Sequence, residues 1–133
     1  MMKFSRQSRL LKPAQFRMVF QQPIRTSDDC FRVLARANGI QQHRLGMAVS
    51  KKACAKAVDR NRIKRVVREN FRTRMLGSVT DLALDIVILP TAQAANQSNK
   101  ALDESLSVHW QELTGKAGDR ITGNQPDQLR IQK

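Results

Sequence analysis

The stretch Ala57-Val-Asp-Arg-Asn-Arg-Ile-Lys-Arg-Val-Val-Arg-Glu-Asn-Phe-Arg-Thr-Arg74 leaves the chain little freedom, because one helix must satisfy two opposed demands. Ile63, Val66, Val67 and Phe71 recur at steps of three and four, an apolar stripe that has to dock on a core. Arg60, Asn61, Lys64, Arg65, Arg68 and Arg72 recur at similar steps on the other side. At about 100° per residue they form a continuous polar stripe that is nearly all positive. Glu69 is the one acid from Arg60 to Arg74. A helix that needed only solubility would alternate its signs and gain i,i+4 pairs, whereas this one accumulates like-charge repulsion. An anionic partner offsets that cost, and a phosphate backbone is the simplest candidate. The plain alternative is a solvated helix face.

Charge elsewhere points the same way. Net charge is +13 over 133 residues, a balance that favours polyanions as partners and says nothing about fold. The length suits one domain with one core. Cys30 and Cys54 have no paired spacing, so neither a disulfide framework nor a zinc site is expected, and both read as reduced, half-buried residues. No run approaches the roughly 18 apolar residues of a membrane span. The opening Met1-Met-Lys-Phe-Ser-Arg is basic but lacks an apolar region behind it, so no signal peptide is expected and the protein is placed in the cytoplasm.

Residues 1–11 read as basic and irregular, and Pro13 suits the first turn of a helix running to about Phe20. Phe16 and Phe20 share a stripe with Val19, while Leu11, Ala14 and Met18 lie nearly opposite. The two phenylalanines either pack in the core or, beside basic residues in a chain of five Phe, one Trp and no Tyr, form a base-stacking platform. From Ile24 the period changes to two. Ile24–Asp28 reads as a short edge strand, Phe31–Ala37 and Leu45–Ser50 as antiparallel strands joined in a hairpin at Asn38-Gly39. One sheet face is then apolar. The other carries Arg32, Leu34, Arg36 and Arg44 around the small residues Gly46, Ala48 and Ser50: a shallow basic groove, or an ordinary solvated face.

The basic helix should end at Gly77-Ser78, and Leu82–Leu89, stopped by Pro90, reads as a buried strand. Strand, helix, strand over this distance implies a crossover between two parallel strands. Gln97-Ser98-Asn99 can cap a last helix with Leu102, Leu106, Trp110 and Leu113 on one stripe. Residues 1–113 make the domain. The polar tail 114–133 is expected to be disordered.

Catalysis by the protein itself is not expected, and no catalytic or metal-ligating residue is assigned. His43 and His109 stand at no metal-ligand spacing, Gly39, Gly46 and Gly77 build no phosphate loop, and Asp28-Asp29 reads as a turn. The chain reads as a binding protein, or as the protein part of a catalyst whose chemistry lies elsewhere.

Arg60-Asn61-Arg62, continued by Ile63-Lys64-Arg65, Arg68-Glu69 and Phe71-Arg72, resembles the RNR signature of the bacterial ribonuclease P protein subunits. Three further segments agree in order: Arg9-Leu10 through Phe16 to Val19-Phe20, Arg44-Leu45-Gly46 through Val49-Ser50-Lys51-Lys52, and Asp85–Leu89 with Leu102–Trp110. The likeness covers residues 4–113. It implies an α+β fold, an α/β sandwich of order αβββαβα. The sheet would be mixed and four-stranded, with a left-handed βαβ crossover, as in domain 2 of ribosomal protein S5; that handedness is rare.

The resemblance also implies a role. The partners would be a large catalytic RNA and precursor tRNA, whose 5′ leader the RNA removes with Mg²⁺. Neither a membrane nor a protein partner is implied, and no organic cofactor. Arg60, Asn61, Arg62, Lys64, Arg65, Arg68 and Arg72 would meet the catalytic RNA. Phe16 and Phe20 would line the leader cleft, with Arg32, Leu34, Arg36, Ala48 and Ser50 on the groove face and Lys51 at its rim. Several family members have an aromatic residue where this chain has Leu34, which offers apolar contact instead of stacking. A ribosomal-type RNA-binding protein would share the basic helix and the groove, and a cleavage assay separates the two. A double-stranded DNA binder would need more base-reading side chains than Asn61.

Overall fold

The structure is a computed structural model and describes residues 9–10, 12–21, 23–40, 42–75 and 83–122, with the side chains of 118–122 left aside. The expectations for residues 1–8, for a helix stop at Gly77-Ser78, for a strand start at Leu82 and for residues 123–133 lie outside these. In chain order the elements are α1 (Pro13–Phe20), β1 (Ile24–Ser27), β2 (Phe31–Ala37), β3 (Arg44–Met47), α2 (Ala57–Arg74), β4 (Leu84–Pro90), a 3-10 helix (Ala92–Asn96) and α3 (Asn99–Thr122). Three helices and a mixed four-stranded sheet make the α+β fold that the sequence led one to expect.

The strand order, β1-β2-β4-β3, corrects one expectation. β2 and β3 are not hairpin partners. β4 lies between them, antiparallel to β2 and parallel to β3. Gly39 does supply the left-handed turn, at φ 73°, but the loop it starts steps across β4 instead of folding back. The reason is the chemistry of β4, in which every residue except Leu89 is buried. An edge position would leave a row of its N–H and C=O groups unpaired beside an apolar surface. The loop instead grips the start of β4: Asn38 N–H donates to Ala83 O at 3.1 Å, and Leu84 N–H donates to His43 Nδ1 at 3.0 Å. Burial pushes the His43 imidazole below its usual pKa, and an Nδ1 that accepts a hydrogen bond is unprotonated.

α2 and α3 cover one face of the sheet. Ile63, Val67 and Phe71 from α2 and Leu102, Leu106, Trp110 and Leu113 from α3 close over Phe31, Val33, Ala35, Leu45, Leu84, Ile86 and Ile88. α1 covers part of the opposite face, where Leu10 and Val19 sit on Leu34 and Val87 in a second, smaller cluster. The α2–α3 seam carries one buried polar device. Asn70 Oδ1 accepts from Trp110 Nε1 at 2.6 Å, while its Nδ2 donates to Asp103 O at 3.3 Å and to Asp103 Oδ1 at 3.2 Å. Trp110 packs edge-on against Phe71. Asn70→Leu orphans the buried indole N–H and should cost about 1–3 kcal/mol in denaturant unfolding; a loss under about 0.5 kcal/mol would mean the seam rests on apolar packing alone.

α3 runs past the expected stop. The sequence places the start of the tail at Thr114, yet the helix continues to Thr122, and Ala117, 1% exposed, extends the stripe of Leu106, Trp110 and Leu113. Thr114 and Gly115 look like breakers, but Thr114 turns its hydroxyl onto Trp110 O and Gln111 O and stays helical. Lys116 Nζ donates to Arg25 O at 2.8 Å and ties this last stretch to β1. Two turns before Lys116, His109 is buried with Nδ1 2.5 Å from Thr26 Oγ1 and Nε2 3.3 Å from Asp28 Oδ2.

Burial acts to raise the Asp28 pKa, but a hydrogen bond from Ser105 and the backbone N–H groups of Phe31 and Cys30 outweigh it and hold the carboxyl below 3.8. A carboxylate that binds its proton less tightly when folded stabilises the fold above the unfolded value, and that support is lost on acidification through the folded one. Asp28→Asn should therefore flatten the acid limb of a plot of stability against pH below about 4. An unchanged limb would show that the Asp28 contacts carry no linkage.

Candidate nucleic-acid interface

Helix α2 presents its two faces as its period demanded. Ile63, Val67, Asn70 and Phe71 are buried, and Asn61, Arg65 and Arg68 are exposed with Lys64 half-covered. The structure divides the cations into two groups. Arg60 donates to Cys54 O at 3.0 Å and Ala55 O at 2.8 Å, clamping the loop before the helix. Arg62 reaches Ala95 O at 3.0 Å and Asn99 Oδ1 at 2.8 Å, joining α2 to the 3-10 helix and the start of α3. Arg72 pairs with Glu69 on the surface. Lys64, Arg65 and Arg68 have no ion pair or hydrogen bond to the described residues, so their charge is available to a partner.

The groove face resolves into three rows set by strand register. Arg36, Asp85 and Arg44 form the first; Leu34, Val87 and Gly46 the second; Arg32 and Leu89, with Ala48 just beyond β3, the third. α1 lies over the first two. Its Val19 is fully buried on Leu34 and Val87, and its Met18 carbonyl accepts Arg36 Nη1 at 3.0 Å. Leu34, at 6% exposure, is therefore part of the floor beneath α1 and offers no apolar surface of its own. Arg44 is spent as well: its Nε and Nη2 clamp Asp85 at 2.7 and 2.6 Å, and Asn38 Nδ2 adds a third bond to that carboxylate at 2.9 Å. Arg32, Ala48, Ser50 and Lys51 stay exposed in and beyond the third row.

The two phenylalanines of α1 part company. Phe20, at the end of the helix, is 47% exposed. Phe16 is half-buried and seated on Gly46: a Cβ built there would lie 2.6 Å from Phe16 Cε1 and 3.1 Å from Leu10 Cβ. Only the absence of a side chain at Gly46 lets the ring settle onto the strand. Gly46 counts among the small residues of the groove in the sequence, but a glycine inside a strand pattern is itself a sign of such close approach. Arg9-Leu10, expected as the lead into α1, has a second role in the sheet. It pairs with the free edge of β3 through Leu10 N–H to Leu45 O at 3.0 Å, and it closes a cleft of about 450 Å³ between α1, β3 and the Lys64–Arg68 side of α2.

Among the described residues no three His, Cys, Asp or Glu side chains come together in a way that could hold a metal ion. No helix among them is long and apolar enough to cross a membrane. Residues 4–114 match the family model for ribonuclease P. The chain belongs to the ribonuclease P protein family. The ribonuclease P protein component of Methylococcus capsulatus is 44% identical over 113 residues, 84% of each chain. That of Escherichia coli is 42% identical over 107 residues, 80% of this chain and 87% of the other. Among solved structures, the ribonuclease P protein of Staphylococcus aureus superposes with a TM-score of 0.68 at 33% identity, covering 75% of this chain and 89% of that one. The Thermotoga maritima protein gives 0.63 at 32% identity, covering 74% and 90%. As a ribonuclease P protein component, the chain is a subunit of the tRNA-processing endoribonuclease.

The exposed cations of α2 now carry a specific expectation. Each phosphate contact removed should lower the salt slope of RNA binding by about 0.7–0.9. Arg65→Ala and Arg68→Ala should each do so and weaken binding to any sequence alike, with the thermal midpoint unmoved. A large drop in that midpoint would show that these side chains serve the fold.

Proposed function

We propose that the protein binds the catalytic RNA of ribonuclease P through the exposed face of α2 and the 5′ leader of precursor tRNA through the α1 side of the sheet. There it assists the RNA in the endonucleolytic cut that frees the mature tRNA 5′ end. The observation that carries this reading is the set Lys64, Arg65 and Arg68, unneutralised by any described residue, on the helix next to the half-seated Phe16. Arg60, Asn61, Arg62 and Arg72 flank that set: Arg60 and Arg62 brace the helix against neighbouring segments, Arg72 pairs with Glu69 at the surface, and Asn61 is exposed to hydrogen-bond the RNA. Phe20, Arg32, Ala48, Ser50 and Lys51 give the leader an exposed path. Leu34 and Arg36 support it from beneath α1.

Mg²⁺ supplies the activation of water and the stabilisation of the leaving oxygen in such hydrolysis. As the family resemblance implies, the metal is assigned to the RNA, and no step runs through the protein. The work is that of a cytoplasmic ribonucleoprotein. The test is to add purified protein to the catalytic RNA at low Mg²⁺ and look for cleavage at the mature 5′ end. Protein alone should leave precursor tRNA intact. Mg²⁺-dependent cleavage by RNA-free protein, abolished by changing one of its carboxylates, would overturn the division of labour.

A further inference from the structure

Helix α1 is eight residues long, and a free helix shorter than about 12 residues is marginal in water. Its attitude over the sheet is therefore set by what it touches. Phe16 rests on Gly46 of β3, and Val19 is buried on Leu34 of β2 and Val87 of β4. A third tie is polar and lies at the C-terminal end: Arg36 Nη1 donates to Met18 O at 3.0 Å. Two apolar seats leave a short rod free to roll, and the tie at its end stops the roll. A cavity of about 290 Å³ opens beneath that end, lined by Met18 and Val19 of α1 and by Arg36, Asn38, Arg44 and Asp85 below. The Arg36 bond reaches across this gap, where packing is incomplete.

The direction of Arg36 has a cause in the sheet. Register places Arg36 and Arg44 on either side of Asp85. Arg44 takes both oxygens of that carboxylate, and Asn38 adds a third bond. With the acid engaged, the Arg36 guanidinium turns to a last-turn carbonyl of α1, where the negative end of the helix dipole strengthens the bond. Gln21 N–H is a second and longer donor to the same oxygen, at 3.3 Å.

We infer that Arg36 is a positioning residue for the leader: by holding Met18 O it fixes the end of α1, and with it the exposed ring of Phe20 two residues on. The inference rests on the leader-binding reading above and deepens it. A brace and a phosphate contact make opposite predictions for the same side chain. A brace acts through Phe20 and leaves the count of phosphate contacts unchanged. A phosphate contact acts without Phe20 and shows in the salt dependence.

The test titrates precursor and mature tRNA into the full-length protein assembled with the catalytic RNA. The salt slope is read on the protein with a single-stranded leader RNA. R36M should cut the preference for precursor over mature tRNA about tenfold, within the range of one base–aromatic stack. Its unfolding midpoint and its salt slope should stay where they are in the wild type. R36K keeps a donor for Met18 O and should restore most of the preference. In the F20A background R36M should have no further effect, because the ring it positions is gone. R32M, at an exposed cation of the same face, should instead lower the slope by about 0.7. A slope lowered as far by R36M would make Arg36 a phosphate contact and overturn the inference. So would a loss that adds in full to that of F20A, or a large fall in the midpoint, which would make Arg36 a residue of the fold. A wild-type complex with no preference for precursor tRNA removes the leader reading and this inference with it. A wild-type preference that R36M leaves intact removes the inference alone.

Discussion

Asp85→Ala should lower stability by about 3 kcal/mol, the low end of the cost of removing one partner from a buried ion pair. The carboxylate lies inside the sheet at 8% side-chain exposure and Arg44 at 21%. Arg44 makes two of its hydrogen bonds there, and Asn38 Nδ2 makes a third. Removing the acid leaves a guanidinium without its partner beneath the edge of α1 and releases the loop that starts at Asn38. The pair is not expected to be a net source of stability, because replacing both charges with apolar groups of similar volume is often neutral or favourable. Arg44→Met with Asp85→Leu should thus recover most of the loss. Urea unfolding of the two single variants and the double closes the cycle. A D85A loss below about 1 kcal/mol, or a double variant less stable than either single, would show that the clamp matters less than its geometry suggests.

Phe20→Ala should leave the unfolding midpoint nearly unchanged and weaken binding of leader-bearing precursor tRNA by about 1–3 kcal/mol, the usual value of one base–aromatic stack. Mature tRNA, which has no leader, should bind as before. The prediction follows from the 47% exposure of Phe20 at the end of α1, where burial supplies little stability to lose. Phe16 should behave otherwise. Its ring is seated between Gly46 and Leu10, so Phe16→Ala should cost stability and leader affinity together, approaching the roughly 3–5 kcal/mol of a core phenylalanine only as far as its partial burial allows. Equal losses for both RNAs with Phe20→Ala would show that its contact is not with the leader.

Secondary structure was largely legible because it is a local matter. The period of α2 is written in Ile63, Val67 and Phe71, and the helix occupies the residues Ala57–Arg74 that its pattern marked. Pro13 opened α1, and the apolar run of β4 announced a buried strand. The RNR segment and the segments in order around it were enough to place the chain in its family, as the match over residues 4–114 shows. The reach of α3 was not legible, since Thr114 and Gly115 look like breakers and only contact with the core at Ala117 reveals that the helix goes on.

What the chain could not say by itself was which of its polar groups face each other. Alternation along β2 and β3 describes their faces and leaves their neighbours open, so the insertion of β4 between them came from the need to pair and cover an apolar strand on both sides. Arg44 and Asp85 are 41 residues apart and meet across that new seam. Arg62 is spent on Ala95 and Asn99, 33 and 37 residues away, whereas Lys64 and Arg68 on the same helix face an open cleft. The sequence by itself thus determined the elements, their polarity and the excess of positive charge, because those depend on spacing along one segment. Only the tertiary structure decided which cations are neutralised, that Leu34 lies under α1 and that Gly46 seats Phe16, because each of these depends on distances between residues remote in the chain.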